Sequence, residues 1–426
     1  MPKTPVLTIA AESAFLPVAV SFVKKTCQGY GFSQKETTAL VLAAEEIFVY
    51  LNKLNPGTMI SISCRSKPYL MELTLEFTAE NFNLRAFNLT STVDVEYESS
   101  LEELGLLIAG RMVDSFSINQ TGGKIHMSLM KYMGYKEAAA TGYTPGPMVS
   151  RTIDRPDPLE VRMVAGMIHE SESMADLPFF FKTPLMVADM HEAGDLAALI
   201  LKDRQNTIAG GLFWKSLNRN TAEILGPYIY GQTGASQMGE ELVEKCLEAI
   251  GKENFTGVIC RHYGHDLPEQ YFETIGTLSG KKIFFRQLQE DTGTCAWLHP
   301  SIAADIADRY ERLFLPRNII APADDVRPRT PYTVISSEVN RAADTVVMHP
   351  LVLGQDVLET VAAHCLLFQS DGYQTILFTL DLGNSAHAGW IPALTENGFT
   401  TALLVPYGGK GDLLTLAYHH PNRGGK

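Results

Sequence analysis

Two stretches of this chain read as copies of each other. Gly226-Pro-Tyr-Ile-Tyr-Gly-Gln232 and His349-Pro-Leu-Val-Leu-Gly-Gln355 both read P-x-[I/V]-x-G-Q, offset by 123. A helical pattern follows each copy. Then comes a strand-like run (Gly257–His262 against Thr375–Leu380), a helix closing at Gly276 or Gly398, and a strand pair. The offset stays between about 118 and 123, and a short insertion at Thr233–Gln237 explains the drift. Self-similarity at one period in matching elements points to a duplicated unit. It constrains the later half of the chain to one α/β arrangement used twice, the second time in shorter form.

The remaining organisation follows from local pattern. Residues 137–158 are rich in Ala, Gly, Pro and Thr and read as a linker, and residues 316–331 hold four prolines and read as an extended connector. The expected domains are therefore 1–136, 159–315 and 332–426. The first predicts helices at 13–29 and 33–53, the second opened by Ser33 with Glu36 three residues on. Strands Met59–Cys64 and Met71–Phe77, a helix Leu101–Asp114 and a strand Gly123–Met130 complete it. The second predicts a helix Pro158–Ser171, strands Asp195–Asp203, Thr207–Lys215 and Thr221–Tyr230, and a helix Met238–Ile250. There follow a strand Gly257–His262, a helix Pro268–Ile275, strands Lys282–Leu288 and Thr294–Leu298, and a helix Ile302–Phe314. The fold class is α/β.

Composition excludes several functions. A net charge of −13 and the absence of a basic run argue against nucleic-acid binding. The six cysteines form no C-x-x-C, so neither a zinc site nor a disulfide framework is expected. The N-terminus shows no signal-peptide pattern, and apolar runs such as Thr38–Leu51 are short and carry Glu45 and Glu46. A cytoplasmic protein without membrane or metal partners is expected.

In Leu42-Ala-Ala-Glu-Glu-Ile-Phe-Val-Tyr-Leu51 a helix carries paired acids, and in Leu101-Glu-Glu-Leu-Gly-Leu-Leu-Ile-Ala-Gly-Arg-Met-Val-Asp114 a second helical run contains Gly105. Over about residues 6–133 the chain resembles the GHKL ATPase fold of anti-sigma-factor serine kinases. That resemblance implies an E-x-x-x-N helix for Mg²⁺, a D-x-G loop for adenine and a G-x-G for phosphate. Glu46 matches the Glu. Tyr50 stands at the Asn position, Phe77 near the Asp, and Glu103-Leu104-Gly105 at the G-x-G. Tyr50 removes a Mg²⁺ ligand, Phe77 an adenine acceptor, and Glu103 puts an acid where phosphate would meet a helix N-terminus. The resemblance thus implies a degenerate domain with ATP and Mg²⁺ binding lost, Glu46 and Gly105 being vestiges of the nucleotide site.

The element order over 195–298 resembles the GNAT N-acyltransferase fold, and the third segment resembles the C-terminal part of that fold, with Gly398-Phe399 after its last helix. The resemblance implies an acyl-CoA ligand whose pyrophosphate meets an R/Q-x-x-G-x-G/A loop. The best register is Gly234-Ala-Ser-Gln-Met-Gly239. There Gly239 fits, Gly234 replaces the cation, Gln237 replaces a glycine, and Gln232 is a nearby polar alternative. In the third segment, Gly354-Gln-Asp356 puts an acid there. The resemblance implies Glu223 as a general base and Tyr271, next to the matching Phe272, as an acid. Arg261-His-Tyr-Gly-His265 reads as a loop rather than a metal pair, and Gly408-Gly-Lys-Gly-Asp412 as a hairpin turn rather than a phosphate loop.

The expected function is a regulatory or ligand-binding protein that joins a degenerate ATPase-like domain to acyl-CoA-type units, with a protein or an acyl-CoA-type molecule as partner. The alternative is an acyl-CoA-dependent N-acyltransferase whose middle domain is catalytic.

Overall fold

The computed structural model describes residues 4–54, 56–78, 88, 112–121, 124–136, 142–148, 150–173, 176–322, 330–340 and 344–419. In chain order the elements are β1 (Val6–Ala10), α1 (Leu16–Gly29), α2 (Gln34–Leu54), β2 (Met59–Lys67), β3 (Leu70–Thr78), β4 (Ser115–Thr121) and β5 (Lys124–Tyr132). Next come β6 (Thr152–Asp154), α3 (Pro158–Ser171), α4 (Pro184–Glu192), β7 (Ala197–Lys202), β8 (Ile208–Ser216), β9 (Thr221–Ile229), α5 (Ala235–Ile250) and β10 (Gly257–His262). These lead to β11 (Glu273–Leu278), β12 (Lys281–Gln287), β13 (Thr294–Trp297), α6 (Pro300–Arg312) and β14 (Arg317–Ile320). The chain continues through β15 (Val334–Asn340), β16 (Thr345–Val352), α7 (Val357–Ser370), β17 (Thr375–Asp381), α8 (Ile391–Glu396), β18 (Phe399–Val405) and β19 (Leu413–Tyr418). It is a mixed α/β protein with two compact units, both discontinuous in sequence.

One unit comprises Met1–Gly134, Pro328–Val339 and Met348–Ser370. Its sheet runs β1-β2-β3-β5-β4, antiparallel throughout. Ile60, Ile62, Leu73, Leu75, Phe77, Ile125, Met127 and Leu129 point to one face and are buried, while Ser61, Ser63, Thr74 and Ser128 between them are only partly covered. This period-2 pattern creates a single apolar face. Val23 and Cys27 of α1 and Leu40, Ala43, Ile47 and Leu51 of α2 fill it. Asn88 is buried and holds a later segment of the same unit. Its amide nitrogen donates to the Thr333 carbonyl (2.6 Å), and its amide oxygen accepts from Ile335 N–H (2.8 Å). The sequence does not reveal β1 or β4, which are edge strands with short or polar patterns. Residues 101–111 of the expected third helix, Gly105 included, lie outside the described residues.

The other unit comprises Tyr135–Arg327, Asn340–Val347 and Asp371–Lys426. Ten of its strands follow the order β6-β7-β8-β9-β10-β12-β11-β18-β19-β17. β9 and β10 run parallel, and their neighbours are antiparallel. A parallel pair needs a crossover, which α5 supplies. Leu242, Val243, Cys246 and Ile250 of α5 bury against Ala222, Ile224, Val258 and Cys260 of that pair.

Around β11 and β18 the strand order is palindromic, β11-β12-β10 on one side and β18-β19-β17 on the other. The halves meet at Gly276 and Leu403, beside a bulge on each strand. A Cβ on Gly276 would lie 2.3 Å from the Ala402 carbonyl oxygen. Gly276→Ala is therefore expected to destabilise by about 1–3 kcal/mol through overpacking against backbone, measured by thermal melting.

The expected helix Pro268–Ile275 does not form. Glu269–Tyr271 is a single 3-10 turn, and Glu273–Leu278 is a strand. β-Branched Thr274, Ile275 and Thr277 favour extension, and a turn at Ser279-Gly280, both with positive φ, pairs β11 with β12. The two matching stretches therefore differ at this point, since only the later one keeps a helix, α8, ahead of its strand pair. Within 137–158 the strand β6 pairs with β7, and within 316–331 the strand β14 pairs in parallel with β13. No described helix is long and apolar enough to cross a membrane.

Candidate functional site

Glu223 occupies the middle of β9. Ala222 and Ile224 join the core under α5, so alternation sends Glu223 to the opposite face. There it is 1% exposed. Lys215 of β8 stands directly across from it in register, with Nζ 3.4 Å from the carboxylate. The register between β9 and β10 shifts between Cys260 and His262, which leaves Arg261 as an extra residue. Such a bulge re-aims a side chain, and Arg261 Nε donates to Glu223 Oε1 at 2.8 Å. Burial pushes the carboxyl up, but the charges of Arg261 and Lys215 outweigh it and hold Glu223 down at about 2. The base role needs the opposite, a carboxyl raised toward neutrality. As placed, Glu223 is a fixed anion in an ion cluster.

Tyr271 is elsewhere. Its hydroxyl donates to Glu244 of α5, and its ring lies against the core on the α5 side. That hydrogen bond, with some burial, pushes the phenol above its ordinary range. Glu223 and Tyr271 therefore sit on opposite faces of the sheet and do not form an acid–base pair.

The turn from β9 into α5 does gather Gln232, Gly234, Gln237 and Gly239. Gly234 takes φ 77 at the N-cap, without a side-chain cap, and the first turn of α5 holds no acid. Gly239 permits close packing, since a Cβ there would lie 2.2 Å from the Asp266 carbonyl. The Gln232 amide is engaged: its oxygen accepts from Met148 N–H (3.1 Å) and its nitrogen donates to the Gly146 carbonyl (2.9 Å). Gln237 donates toward Glu241 at 3.4 Å on the surface.

Three residues to which the sequence assigned no catalytic role, Tyr228, Tyr230 and His262, lie at the ends of β9 and β10. His262 Nδ1 lies 2.7 Å from the Asp176 carbonyl oxygen. Tyr228 is buried, with its ring at an angle to Phe181. Tyr230 donates its hydroxyl to Glu172 at 3.0 Å. His262 carried a sequence signal only as a doubtful metal pair with His265. Among the described residues no group of three His, Cys, Asp or Glu side chains is placed to hold a metal.

The Gly408–Asp412 turn joins β18 to β19 and contains an anion nest already filled. Asp381 accepts from Gly383 N–H (2.9 Å), Gly411 N–H (3.0 Å) and Lys410 N–H (2.8 Å). In the first unit, Glu46 is half-buried on α2, and Tyr50 and Phe77 are part of the hydrophobic core.

No protein-family model and no curated protein matches the chain. Solved structures match part of it. A GNAT-family N-acetyltransferase from Escherichia coli, in complex with CoA, shares 33% of this chain and 82% of its own at 14% identity, with a TM-score of 0.26. A spermidine/spermine N-acetyltransferase from Vibrio cholerae covers 33% of this chain and 95% of its own at 12% identity and TM-score 0.25. A GNAT-family acetyltransferase from Staphylococcus aureus covers 33% and 100% at 13% identity and TM-score 0.26. The likeness is to GNAT-type structures over a third of the chain, and on its own it carries no argument about activity.

Proposed function

We propose that the second unit binds an acyl-CoA-type thioester at the β9–α5 turn, within a regulatory or ligand-binding protein. One observation carries this reading. The 16-residue helix α5 follows the first strand of a parallel pair and begins at Gly234 with neither a side-chain cap nor an acid in its first turn. Its first N–H groups therefore lack a side-chain acceptor, an arrangement suited to a pyrophosphate. Gln232 braces the segment beside that turn instead of reaching a ligand directly. We read the palindromic strand order as the trace of a duplicated GNAT-like unit, the second copy shorter and without a competent loop of its own. The regulatory part of the reading draws on the first unit, where Tyr50 and Phe77 serve the core at positions where the GHKL resemblance asks for polar ligands. We read that unit as a scaffold or partner-binding domain.

A second reading, in which acyl transfer to an amine is the function itself, is favoured by His262, which lies on the Glu223 face at the end of β10.

Thermal melting with acetyl-CoA, longer acyl-CoAs, CoA and Mg-ATP tests the proposal. A CoA ester at a hundred times its dissociation constant should stabilise the protein by about 2.7 kcal/mol, and Mg-ATP should leave it unchanged. No shift with any CoA ester would overturn the acyl-CoA reading. A shift with Mg-ATP would overturn the degenerate-nucleotide-site reading.

A further inference from the structure

Where the two halves of its sheet join, the second unit holds an open cleft of about 600 Å³, within the roughly 300–1,000 Å³ of small-molecule sites. The cleft arises from the sheet itself. β11 and β18 pair at Gly276 and Leu403 and at no further position, so the end of β11 and the start of β18 part beyond that point. The turn after β11 then reaches over its neighbours. Ser279 Oγ lies 3.3 Å from Thr375 Oγ1 at the start of β17, although β18 and β19 stand between β11 and β17 in strand order.

The floor is a sheet face of modest bulk. Leu377, Ala417 and Thr400 stand side by side in register, and cross-strand partners share a face. Ile376, Leu416 and Phe399, their neighbours in the chain, turn the other way and are buried. The open side is rich in hydroxyls, with Thr277, Ser279, Thr375 and Thr400 all bordering the cleft.

Among the described residues no carboxylate lines it, in a chain whose net charge is −13. Arg309 of α6 supplies a cation. Its side chain is 22% exposed and held by two hydrogen bonds, Nε to Asp305 at 3.2 Å and Nη2 to the Thr401 carbonyl at 3.4 Å. Nη1 has no acceptor among the described residues. A guanidinium is a planar fork of donors that matches the oxygens of a phosphate or a carboxylate. Asp305 engages Nε only, so part of the fork is unspent.

We propose that this cleft binds a small polyhydroxylated metabolite carrying a phosphate or carboxylate. Arg309 takes the anion, and the hydroxyl-bearing strand ends take the alcohols of the carbon skeleton. The site draws β11 and its turn from one half of the sheet and β17, β18 and β19 from the other, so it exists only where the halves are joined. It shares no residue with the β9–α5 turn and does not depend on an acyl-CoA binding there.

Isothermal titration of the full chain with glucose 6-phosphate, gluconate, inorganic phosphate and glucose tests this, on wild type, Arg309→Gln and Thr400→Leu. Glucose 6-phosphate or gluconate should bind saturably, and which of them binds tells phosphate from carboxylate. Inorganic phosphate and glucose, each offering half of the chemistry, should bind about 10-fold more weakly. Arg309→Gln should weaken binding by about 10- to 100-fold through loss of a charge-assisted hydrogen bond. Thr400→Leu adds bulk to the floor from an exposed position with every charge in place, and should weaken binding by about 10-fold. Acetyl-CoA affinity should not differ among the three proteins, which separates this site from the β9–α5 turn. The ranking of the four ligands on wild type tests the ligand class without any substitution. No saturable binding of either anionic polyol at millimolar concentration would overturn the proposal, and so would glucose binding as tightly as its phosphate. Affinity untouched by Arg309→Gln would place the anion elsewhere and overturn it as well.

Discussion

Replacing Arg317 by methionine is expected to destabilise the second unit by about 3–5 kcal/mol, well above the roughly 1 kcal/mol of a typical point substitution. The Arg317 side chain is 0% exposed, between Asp291 (4%) and Asp412 (1%). Nε donates to Asp412 at 2.7 Å, another guanidinium nitrogen donates to Asp291, and the rings of Tyr310 and Tyr407 stand 5.7 and 5.0 Å from the guanidinium carbon. Asp412 also accepts from Tyr407 N–H at 2.8 Å. Removing the cation leaves two carboxylates in a dry site with no counter-charge, and methionine restores volume without restoring charge. Arg312 provides the contrast. Its pair with Asp308 lies on the surface, so Arg312→Met should stay within about 0.5 kcal/mol. Urea unfolding of the three proteins measures both. Near-equal stabilities would show that the Arg317 cluster is not a structural lock.

Glu223→Gln is expected to be the next most damaging change, costing about 2–3 kcal/mol at neutral pH. The loss is smaller than for Arg317 because Lys215 and Arg261 are partly open to water and can be hydrated once the anion is gone. The pH dependence gives a sharper check. Glu223 titrates at about 2 in the folded chain, against roughly 4.3 for an ordinary glutamate. A depressed folded pKa contributes stability that is present above the unfolded value and lost as pH falls toward the folded one. The difference in unfolding free energy between wild type and Glu223→Gln should therefore hold from pH 7 to about 5 and shrink toward zero by about pH 2. A difference that grows on acidification would contradict the fixed-anion reading. A stability gap near zero at pH 7, with turnover lost, would restore Glu223 as a base.

The arrangement favours a division of labour along β9. Its residues under α5 are apolar and hold the crossover helix in place, while the opposite face carries the cluster of Glu223, Lys215 and Arg261. The turn into α5 lies at the end of the same strand.

How much was legible beforehand depended on the range of the interaction. Strand alternation in β2, β3 and β5 and helical spacing in α1, α2, α3 and α5 are local, and the sequence alone specified those elements and the α/β class. The same holds for the repeated P-x-[I/V]-x-G-Q, since matching local patterns need no third dimension. Edge strands β1 and β4 escaped because a strand covered on one side needs little apolar pattern. The helix expected at Pro268–Ile275 became a turn and a strand because pairing with β12 and the closeness of Gly276 to Ala402 outweigh a short helical pattern. Glu223 was visible as an acid in a strand, but its state was not. That depended on Lys215 across a sheet register and on Arg261, 38 residues away, turned by a bulge. Arg317 looked like connector because its partners lie 26 and 95 residues distant. The Gly408–Asp412 segment was legible as a hairpin turn, but the carboxylate that fills its backbone nest was not, because it arrives from Asp381, about 30 residues upstream. Burial and counter-charge are properties of the assembled neighbourhood, so the charge state of each candidate side chain was decided only when the sheet brought its neighbours together.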